Sequence, residues 1–278
     1  MKTLIIAEIG INHNGDLDTA KQLIDMAKQC GCDAVKFQKR TVDVVYTREF
    51  LESPRMSPWG STQRAQKEGL EFGEKEYAEI SAYCSNTRID WFASAWDLPS
   101  QVFLRKYNLK YNKVASAILN HPELPEAIAT EGKLTFISTG MSTFDEIDEV
   151  VKIFGRHKCP FILMHSVSSY PCREGDLNLS LVPELKRRYG CRVGYSGHEA
   201  SVSPSVVAAV LGAEVIERHI TLDRAMYGSD QPASLELQGL ATLVGQIRKI
   251  PVVLGDGVKR ITPQEVENAK KLRYWVTD

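Results

Sequence analysis

An alternation of strand and helix patterns runs along nearly the whole chain and constrains its fold more than any other feature. Short apolar runs rich in β-branched and aromatic residues alternate with amphipathic stretches, which is typical of a parallel sheet built from βα units. We count eight strands, at 3–11, 33–39, 89–95, 111–116, 134–139, 161–167, 192–197 and 214–220. Eight βα units in about 250 residues is the size of a TIM barrel. The sequence therefore predicts an α/β protein with one (β/α)8 barrel domain over 1–278; a doubly wound open sheet is the alternative.

Two segments depart from the regular alternation. Residues 41–72 separate the second strand from its helix, and connections of that length in compact domains are usually functional. Because this loop follows the carboxyl end of a barrel strand, we expect it to cover the active site as a lid. The tail at 261–278 predicts a capped helix that either closes the bottom of the barrel or leads towards a further domain.

Charge and composition exclude several classes of protein. The 278 residues carry 34 basic and 35 acidic side chains, so no overall field favours nucleic acid or an anionic membrane surface. No apolar run is long enough to span a bilayer. The six cysteines form no C-x-x-C pair, which favours reduced thiols. We expect a cytoplasmic protein with neither a nucleic-acid nor a membrane partner.

Hydroxyl and ammonium groups recur at the carboxyl ends of the predicted strands. Lys36 and Lys113 lie near these ends, and a lysine inside a barrel needs an anion or a substrate to offset its desolvation. One serine often only begins a turn, but five successive strands each end with one: Ser94, Ser116, Ser138, Ser168 and Ser196. Together these groups predict a pocket for a phosphate or a carboxylate.

Two histidines indicate a metal site. His198 and His219 end the last two strands, and adjacent strands lie about 4.8 Å apart, so the two imidazoles can share one divalent ion. Within "VIERHITLDR" (215–224), strand alternation turns Glu217 and His219 into the barrel and Arg218 towards the helices. We expect Glu217 to support His219 from one layer below or to form a buried ion pair. A satisfied core histidine is the alternative interpretation of either imidazole.

Glu8 is the remaining ionisable residue of note. It lies between Ala7 and Ile9 in an apolar strand, so its carboxylate must pair with a cation or bind a substrate hydroxyl. A structural ion pair is the alternative to a role in substrate binding.

Taken in order, the motifs resemble one known family. "IIAEIGINHNGD", "VKFQ", "ISTGM", "HSVSSYP", "GYSGHE", "ERHITLD", "GSD" and "ASLE" cover nearly all of 4–240 and are similar to those of the sialic acid synthase (N-acetylneuraminate synthase) family. The resemblance implies a (β/α)8 barrel that condenses phosphoenolpyruvate with an aldose, usually N-acetylmannosamine or a related sugar. The products are a nonulosonic acid and phosphate. It also implies a divalent metal, typically Mn²⁺, with Mg²⁺ or Co²⁺ as alternatives.

The resemblance also assigns roles to individual residues. The implied metal ligands are His198 and His219, which are counted as catalytic together with Glu8, Lys36 and Lys113. Phosphoenolpyruvate would be held by the two lysines and by strand-end hydroxyls, namely Ser116, Ser138, Ser168 and Ser196, with Ser94 in the same ring. Sugar contacts would come from Glu8, Gln38, Tyr170 and Asp230.

Three departures from the family bear on these expectations. Ser116-Ala117-Ile118 stands where members often have Ser-Gly-Glu, Ala95 stands where they often have threonine, and Ser168 is asparagine in some members. Most members also have a C-terminal domain resembling type III antifreeze protein, whereas we expect this chain to comprise the barrel alone. A homodimer formed through the barrels is a further expectation.

Two other functions fit the same residues. A Schiff-base aldolase acting on pyruvate would use Lys113 or Lys36 as the amine nucleophile and would need no metal. A barrel that binds a sugar acid without catalysis is the third hypothesis.

Overall fold

The computed structural model describes residues 2–275 and has the predicted barrel. Its eight barrel strands are β1 (Leu4–Gly10), β2 (Ala34–Lys39), β5 (Asp90–Ala95), β6 (Tyr111–Val114), β7 (Leu134–Ser138), β8 (Phe161–Ser166), β9 (Arg192–Gly197) and β10 (Val215–His219). Each lies within one of the eight predicted runs. Two short strands, β3 (Pro54–Ser57) and β4 (Gly60–Thr62), form a separate antiparallel hairpin.

The helices lie between the strands as a (β/α)8 barrel requires. They are α1 (Leu17–Cys30), α2 (Val42–Val45), α3 (Arg48–Glu52), α4 (Gln63–Leu70), α5 (Glu74–Thr87), α6 (Leu98–Arg105), α7 (Leu124–Ala129), α8 (Phe144–Arg156), α9 (Leu181–Tyr189), α10 (Ser203–Val210), α11 (Leu237–Leu254) and α12 (Pro263–Leu272). Helix α1 begins where the Asp16 carboxylate accepts a hydrogen bond from the backbone N–H of Thr19 at 2.6 Å, which stabilises the first turn.

All eight barrel strands are parallel and pair in the order β5-β2-β1-β10-β9-β8-β7-β6. The terminal strands β5 and β6 pack against each other, so the barrel is nearly closed. Register brings Glu8 of β1 opposite His219 of β10 on one side and opposite Lys36 of β2 on the other. Three ionisable side chains from three strands therefore lie at one height of the barrel.

An aromatic layer supports this end of the barrel from below. Phe92 and Phe136 are fully buried, and their ring centroids lie 5.5 Å apart. They precede Ser94 and Ser138 by two residues, so they point to the same face of their strands one layer lower. The polar groups at the carboxyl ends therefore lie directly above a layer of packed aromatic rings.

The segment 41–72 is folded rather than irregular. It contains α2, α3, the β3–β4 hairpin and α4, and it leads to the barrel helix α5. The segment is anchored at its first residue, Thr41. The backbone N–H and the hydroxyl of Thr41 both donate to the Asp97 carboxylate, at 2.7 and 2.9 Å. Short local elements therefore occupy the position where the sequence predicted a loop.

Gly15 places this segment against the first βα connection. Its φ is +69°, and a Cβ added there would lie 2.0 Å from the backbone oxygen of Gly69 in α4. We expect Gly15→Ala to lower the free energy of unfolding by about 2 to 4 kcal/mol, from left-handed backbone strain and a clash with backbone. Denaturant unfolding measures this effect.

The matched control for Gly15→Ala is Gly155→Ala. Gly155 lies in α8, and an added Cβ there would meet nothing within 4 Å. This change should stabilise the protein by about 0.4 to 1 kcal/mol by restricting the unfolded chain. Equal effects of the two substitutions would contradict the proposed contact.

The C-terminal helix forms but does not cover the barrel. Thr262 and Glu265 make the reciprocal capping hydrogen bonds that begin α12. Every residue of α12 except Ala269 is exposed, so the helix does not close the barrel bottom, which was one of the two alternatives expected for it. Nowhere in 2–275 does a helix combine the length and apolarity that crossing a bilayer would need.

Candidate active site

The predicted side chains converge on one cavity at the carboxyl end of the barrel. This inner cavity has a volume of about 190 Å³. Its lining includes twelve of the thirteen residues predicted from the sequence, namely Glu8, Lys36, Gln38, Ser94, Lys113, Ser116, Ser138, Ser168, Tyr170, Ser196, His198 and His219. Asp230 lies just outside this lining, with its carboxylate 3.9 Å from Nδ1 of His219.

Two buried lysines are bridged by two buried carboxylates at the bottom of the inner cavity. Nζ of Lys36 lies 2.8 Å from Glu8 and 3.7 Å from Glu217, and Nζ of Lys113 lies 3.1 Å from Glu217. The Lys113 ammonium also donates to the Ser138 hydroxyl at 2.7 Å. Two roles were expected for Glu217, support of His219 or a buried ion pair. In the structure it forms the ion pair, with Lys113 and Lys36.

The pKa values of Glu8 and Glu217 are shifted in opposite directions because the charges around the two carboxylates differ. Burial raises the pKa of Glu8 to about 7, against the opposing attraction of Lys36. Burial acts on Glu217 in the same sense, but Lys113 and Lys36 together outweigh it and lower the pKa of Glu217 to about 2. Near neutral pH, Glu217 is therefore the fixed anion of the site, while Glu8 can accept or release a proton.

Serine hydroxyls surround the space above the lysines. Ser196 donates to Glu217 at 3.0 Å, and the Ser116 oxygen accepts from the Gly140 backbone N–H at 3.1 Å. The buried hydroxyls of Ser166 and Ser168 have no hydrogen-bond partner in the described chain. Buried polar atoms without partners are rare, so these two hydroxyls mark the place where ligand oxygens would bind.

Gly140 keeps this hydroxyl layer open. A Cβ at this position would lie 2.4 Å from the Ser168 hydroxyl oxygen and 2.8 Å from that of Ser116. Only glycine lets the backbone approach the serines this closely.

The two histidines are arranged as neutral neighbours. The ring centroids of His198 and His219 lie 5.5 Å apart. Burial, with the nearby His219, lowers the pKa of His198 to about 4, and burial likewise lowers the pKa of His219. Nδ1 of His198 lies 2.8 Å from the Val167 carbonyl oxygen, so that nitrogen carries the proton and donates it, leaving Nε2 as a free lone pair.

Arg218 faces the helices, as strand alternation predicted. Its guanidinium is buried and lies 2.9 Å from the Glu199 carboxylate, and it donates to the Ser205 hydroxyl of α10 at 3.0 Å. The Tyr195 hydroxyl donates to the second oxygen of Glu199 at 2.8 Å. Glu199 follows His198 and Arg218 precedes His219. The Arg218–Glu199 ion pair therefore fixes the two histidine-bearing strand ends relative to each other.

A second, outer cavity opens beside the first. It has a volume of about 340 Å³ and is lined by Ile11, Gln38, Arg40, Tyr46, Lys67, Leu70, Glu71, Trp96, Tyr170, Ser229 and Asp230. The two cavities share Gln38, Trp96 and Tyr170. The segment 41–72 contributes four residues to this lining, Tyr46, Lys67, Leu70 and Glu71. That it covers the site as a lid stays a prediction.

Sequence reasoning missed several residues of the two cavities. Ser166, Trp96, Arg40 and Lys67 line them but were not selected. Ser166 ends β8 two residues before Ser168, so strand alternation supplied a signal for it. For Lys67 the sequence held no signal, because only the folding of α4 brings it to the cavity.

Fold and site together define a TIM-barrel protein with a polar pocket, lined by lysines and serines, beside a pair of neutral imidazoles. Residues 23–259 match the NeuB family. An N-acetylneuraminate-9-phosphate synthase from Homo sapiens is 40% identical over 271 residues, covering 96% of this chain and 76% of that protein. An N,N'-diacetyllegionaminic acid synthase from Campylobacter jejuni subsp. jejuni is 35% identical over 278 residues, covering 98% and 83%.

A solved structure gives the same result. The crystal structure of the N-acetylneuraminic acid synthetase from Leptospira borgpetersenii, in complex with citrate, superposes with a TM-score of 0.85 at 34% identity, covering 99% of this chain and 93% of that one. The chain therefore belongs to the NeuB family of sialic-acid-type synthases, which confirms the resemblance noted in its motifs.

Proposed function

We propose that this protein catalyses the metal-dependent condensation of phosphoenolpyruvate with an aldose of the N-acetylmannosamine type, giving a nonulosonic acid and phosphate. The observation that carries the proposal is the inner cavity, where two ammonium groups and unpartnered hydroxyls lie next to two neutral imidazoles. An anion site beside an electrophile site is what joining these two substrates requires.

Phosphoenolpyruvate fits the serine and lysine half of the inner cavity. Lys36 and Lys113 supply positive charge, and the Ser166 and Ser168 hydroxyls have free hydrogen-bonding capacity. Glu217 lies 3.7 Å from Lys36 and 3.1 Å from Lys113, so its carboxylate balances part of that positive charge. Charge-assisted hydrogen bonds to a phosphate and a carboxylate would replace water in the occupied site.

His198 and His219 fit a divalent ion. A neutral imidazole whose other ring nitrogen donates to a backbone carbonyl is the usual form of a metal-bound histidine, and His198 has this arrangement with Val167. Nδ1 of His219 is buried and has no hydrogen-bond partner among the residues that the structure describes. Within 2–275 no three His, Cys, Asp or Glu side chains are grouped to hold an ion, so His198 and His219 are the side chains that would hold it. The chemistry supplied by a bound ion is Lewis-acid polarisation of the aldehyde oxygen.

The reaction forms one carbon–carbon bond, adds one water oxygen to C2 and breaks the bond between C2 and the phosphate oxygen. C3 of phosphoenolpyruvate attacks the aldehyde carbon, and the aldehyde oxygen takes up a proton. Water then adds at C2, and the tetrahedral intermediate loses phosphate to leave the keto acid. Glu8 lies at the height of His219 with a pKa of about 7, which suits it to give up a proton to the new hydroxyl and to regain one from the attacking water.

The sugar would lie across both cavities. Gln38 and Tyr170 line both of them, and Asp230 lines the outer one beside His219, so each can bind a sugar hydroxyl. The names of the relatives specify different products, including N-acetylneuraminate 9-phosphate, N,N'-diacetyllegionaminic acid and pseudaminic acid.

Phosphate release tests the proposal directly. With phosphoenolpyruvate, Mn²⁺ and N-acetylmannosamine or its 6-phosphate, we expect stoichiometric formation of inorganic phosphate and a 2-keto acid. Removing the metal with a chelator should abolish turnover, and adding Mn²⁺ back should restore it. Full activity after chelation would contradict the metal dependence.

The same preparation tests the Schiff-base aldolase. Burial lowers the pKa of Lys113, which favours an amine nucleophile in principle, although its ammonium is held by Glu217 and Ser138. Borohydride reduction in the presence of pyruvate should leave no covalent adduct on Lys113 or Lys36. An adduct on either lysine would replace our proposal with the aldolase mechanism.

A further inference from the structure

A buried asparagine in the turn after β1 has no part in the reaction described above. Asn12 follows β1 by two residues and is 1% exposed. Its side-chain nitrogen donates to the backbone carbonyl oxygen of Ile220 at 2.9 Å and to the hydroxyl oxygen of Ser234 at 2.8 Å. A carbonyl oxygen can only accept a hydrogen bond, so the amide must present its NH2 group to Ile220. Both N–H donors are therefore used on the connection between β10 and α11.

The first of these bonds holds the strand end that carries His219. Ile220 directly follows His219, and its backbone N–H donates to the Glu8 carbonyl oxygen at 2.9 Å. The His219 carbonyl oxygen accepts from the Leu235 backbone N–H at 2.8 Å. Both backbone polar groups of Ile220 are thus bound to β1 and the turn after it, so the His219 imidazole extends from a fixed backbone position.

The second bond reaches Asp230 through Ser234. The fully buried Ser234 hydroxyl accepts from Asn12 and donates to the backbone carbonyl oxygen of Asp230 at 2.7 Å. The Asp230 carboxylate lies 3.9 Å from Nδ1 of His219. One side-chain amide is therefore connected to both partners of the contact between Asp230 and His219.

A buried glutamine holds the same connection against the Asn12 backbone. Gln231 is fully buried, and its Nε2 donates to the carbonyl oxygens of Asn12 at 3.4 Å and Tyr227 at 3.3 Å. Its side-chain oxygen accepts a hydrogen bond from the Thr221 hydroxyl. Buried polar networks that are satisfied in this way stabilise one arrangement of the chain. The backbone around Asp230 is therefore fixed by the turn after β1.

Resting on the proposed metal-dependent condensation, we infer that Asn12 is a positioning residue of the candidate active site. It lines neither cavity and acts only through its partners. Through Ile220 it holds the His219 imidazole where that side chain can bind a divalent ion. Through Ser234 it holds the Asp230 carboxylate where that group can bind a sugar hydroxyl.

Asn12→Leu tests this inference, because it removes both N–H donors and keeps most of the side-chain volume. In the substrate-free protein, electron paramagnetic resonance of added Mn²⁺ should report an affinity about 10- to 100-fold below that of the parent, as expected when a residue that orients a metal ligand is lost. The KM of N-acetylmannosamine should rise, whereas the KM of phosphoenolpyruvate should stay at the parent value.

Ser234→Ala separates the two connections. It removes the hydrogen bond to Asp230 and leaves the Asn12 amide bonded to Ile220. The KM of N-acetylmannosamine should rise by about 3- to 10-fold, the effect of one lost hydrogen bond, while Mn²⁺ affinity stays at the parent value. A purely structural role would lower stability without this difference between the two ligands.

Gln101→Met is the matched control. Gln101 is a similarly buried amide in α6, where it donates to Glu131 at 2.8 Å and Asn112 at 3.4 Å, and it lines neither cavity. Its replacement should lower the midpoint of denaturant unfolding, as Asn12→Leu does, and leave Mn²⁺ affinity unchanged. Parent-level Mn²⁺ affinity in a folded Asn12→Leu protein would overturn the inference and leave the condensation intact.

Two further outcomes also decide the inference. If Asn12→Leu does not fold, an unchanged sugar affinity in Ser234→Ala would overturn the inference, and the expected loss would support it. If the parent binds Mn²⁺ but releases no phosphate, the condensation is overturned. Mn²⁺ affinity and titration calorimetry of N-acetylmannosamine then replace the kinetic constants in the same comparison of variants. A parent that binds no Mn²⁺ would overturn the metal site and the inference together.

Discussion

Replacing His198 or His219 with alanine is expected to reduce phosphate release by about a thousandfold or more, because Lewis-acid polarisation of a carbonyl contributes several kcal/mol to transition-state stabilisation. Each imidazole is neutral and buried beside the other, with ring centroids 5.5 Å apart, so removal of either leaves an incomplete ligand pair. Steady-state kinetics measures the loss, and electron paramagnetic resonance of added Mn²⁺ should report weaker metal binding by the same variants.

His157→Ala provides the control for both substitutions. His157 follows α8 and pairs with Glu126 away from both cavities, so its loss should leave turnover and Mn²⁺ binding at the parent level. If either active-site variant kept full activity, or if both bound Mn²⁺ as the parent does, the metal site would have to lie elsewhere.

Arg218→Met should lower the free energy of unfolding by about 3 to 5 kcal/mol, because it leaves the Glu199 carboxylate buried without its counter-ion. Both side chains are at most 1% exposed, so water cannot replace the lost partner. The double variant Glu199→Gln, Arg218→Met should be destabilised less than the single variant, since no unpaired charge remains. The cycle consists of the parent protein, Glu199→Gln, Arg218→Met and the double variant. Denaturant unfolding of all four measures the coupling free energy between the two side chains.

An exposed ion pair on α8 serves as the control for the buried Arg218–Glu199 pair. Lys152 and Glu149 lie 2.7 Å apart on α8, with side chains 65% and 71% exposed. Lys152→Met should leave stability unchanged within experimental error, because solvent already screens the pair. A loss from Arg218→Met no larger than that from Lys152→Met would show that the buried pair is not needed for stability.

The barrel and most of the inner cavity were predictable because their signals are local. Each strand was visible as a short β-branched run, and Ser94, Ser138 and Ser196 lie within or at the end of such runs. In a (β/α)8 barrel, the carboxyl end of a strand is also the catalytic end, so position along the strand was enough to place these hydroxyls. The same argument placed His198 and His219 side by side.

Other features depended on contacts that strand periodicity does not encode. The α12 helix formed as its capping signals predicted, but its position relative to the barrel did not follow from those signals. The segment 41–72 was recognised by its length alone. Its folding into α2, α3, a hairpin and α4 is what brings Lys67 to the outer cavity.

The sequence by itself determined the (β/α)8 class, the catalytic end of the barrel and the identity of the residues that meet there, because strand period and motif order are properties of neighbouring positions. Only the tertiary structure decided how those residues pair. Lys113 meets Glu217 across 104 positions, and Arg218 meets Glu199 across 19. Burial makes such charges costly unless they are matched, so the nearly closed barrel, rather than any local pattern, determines which cation pairs with which carboxylate.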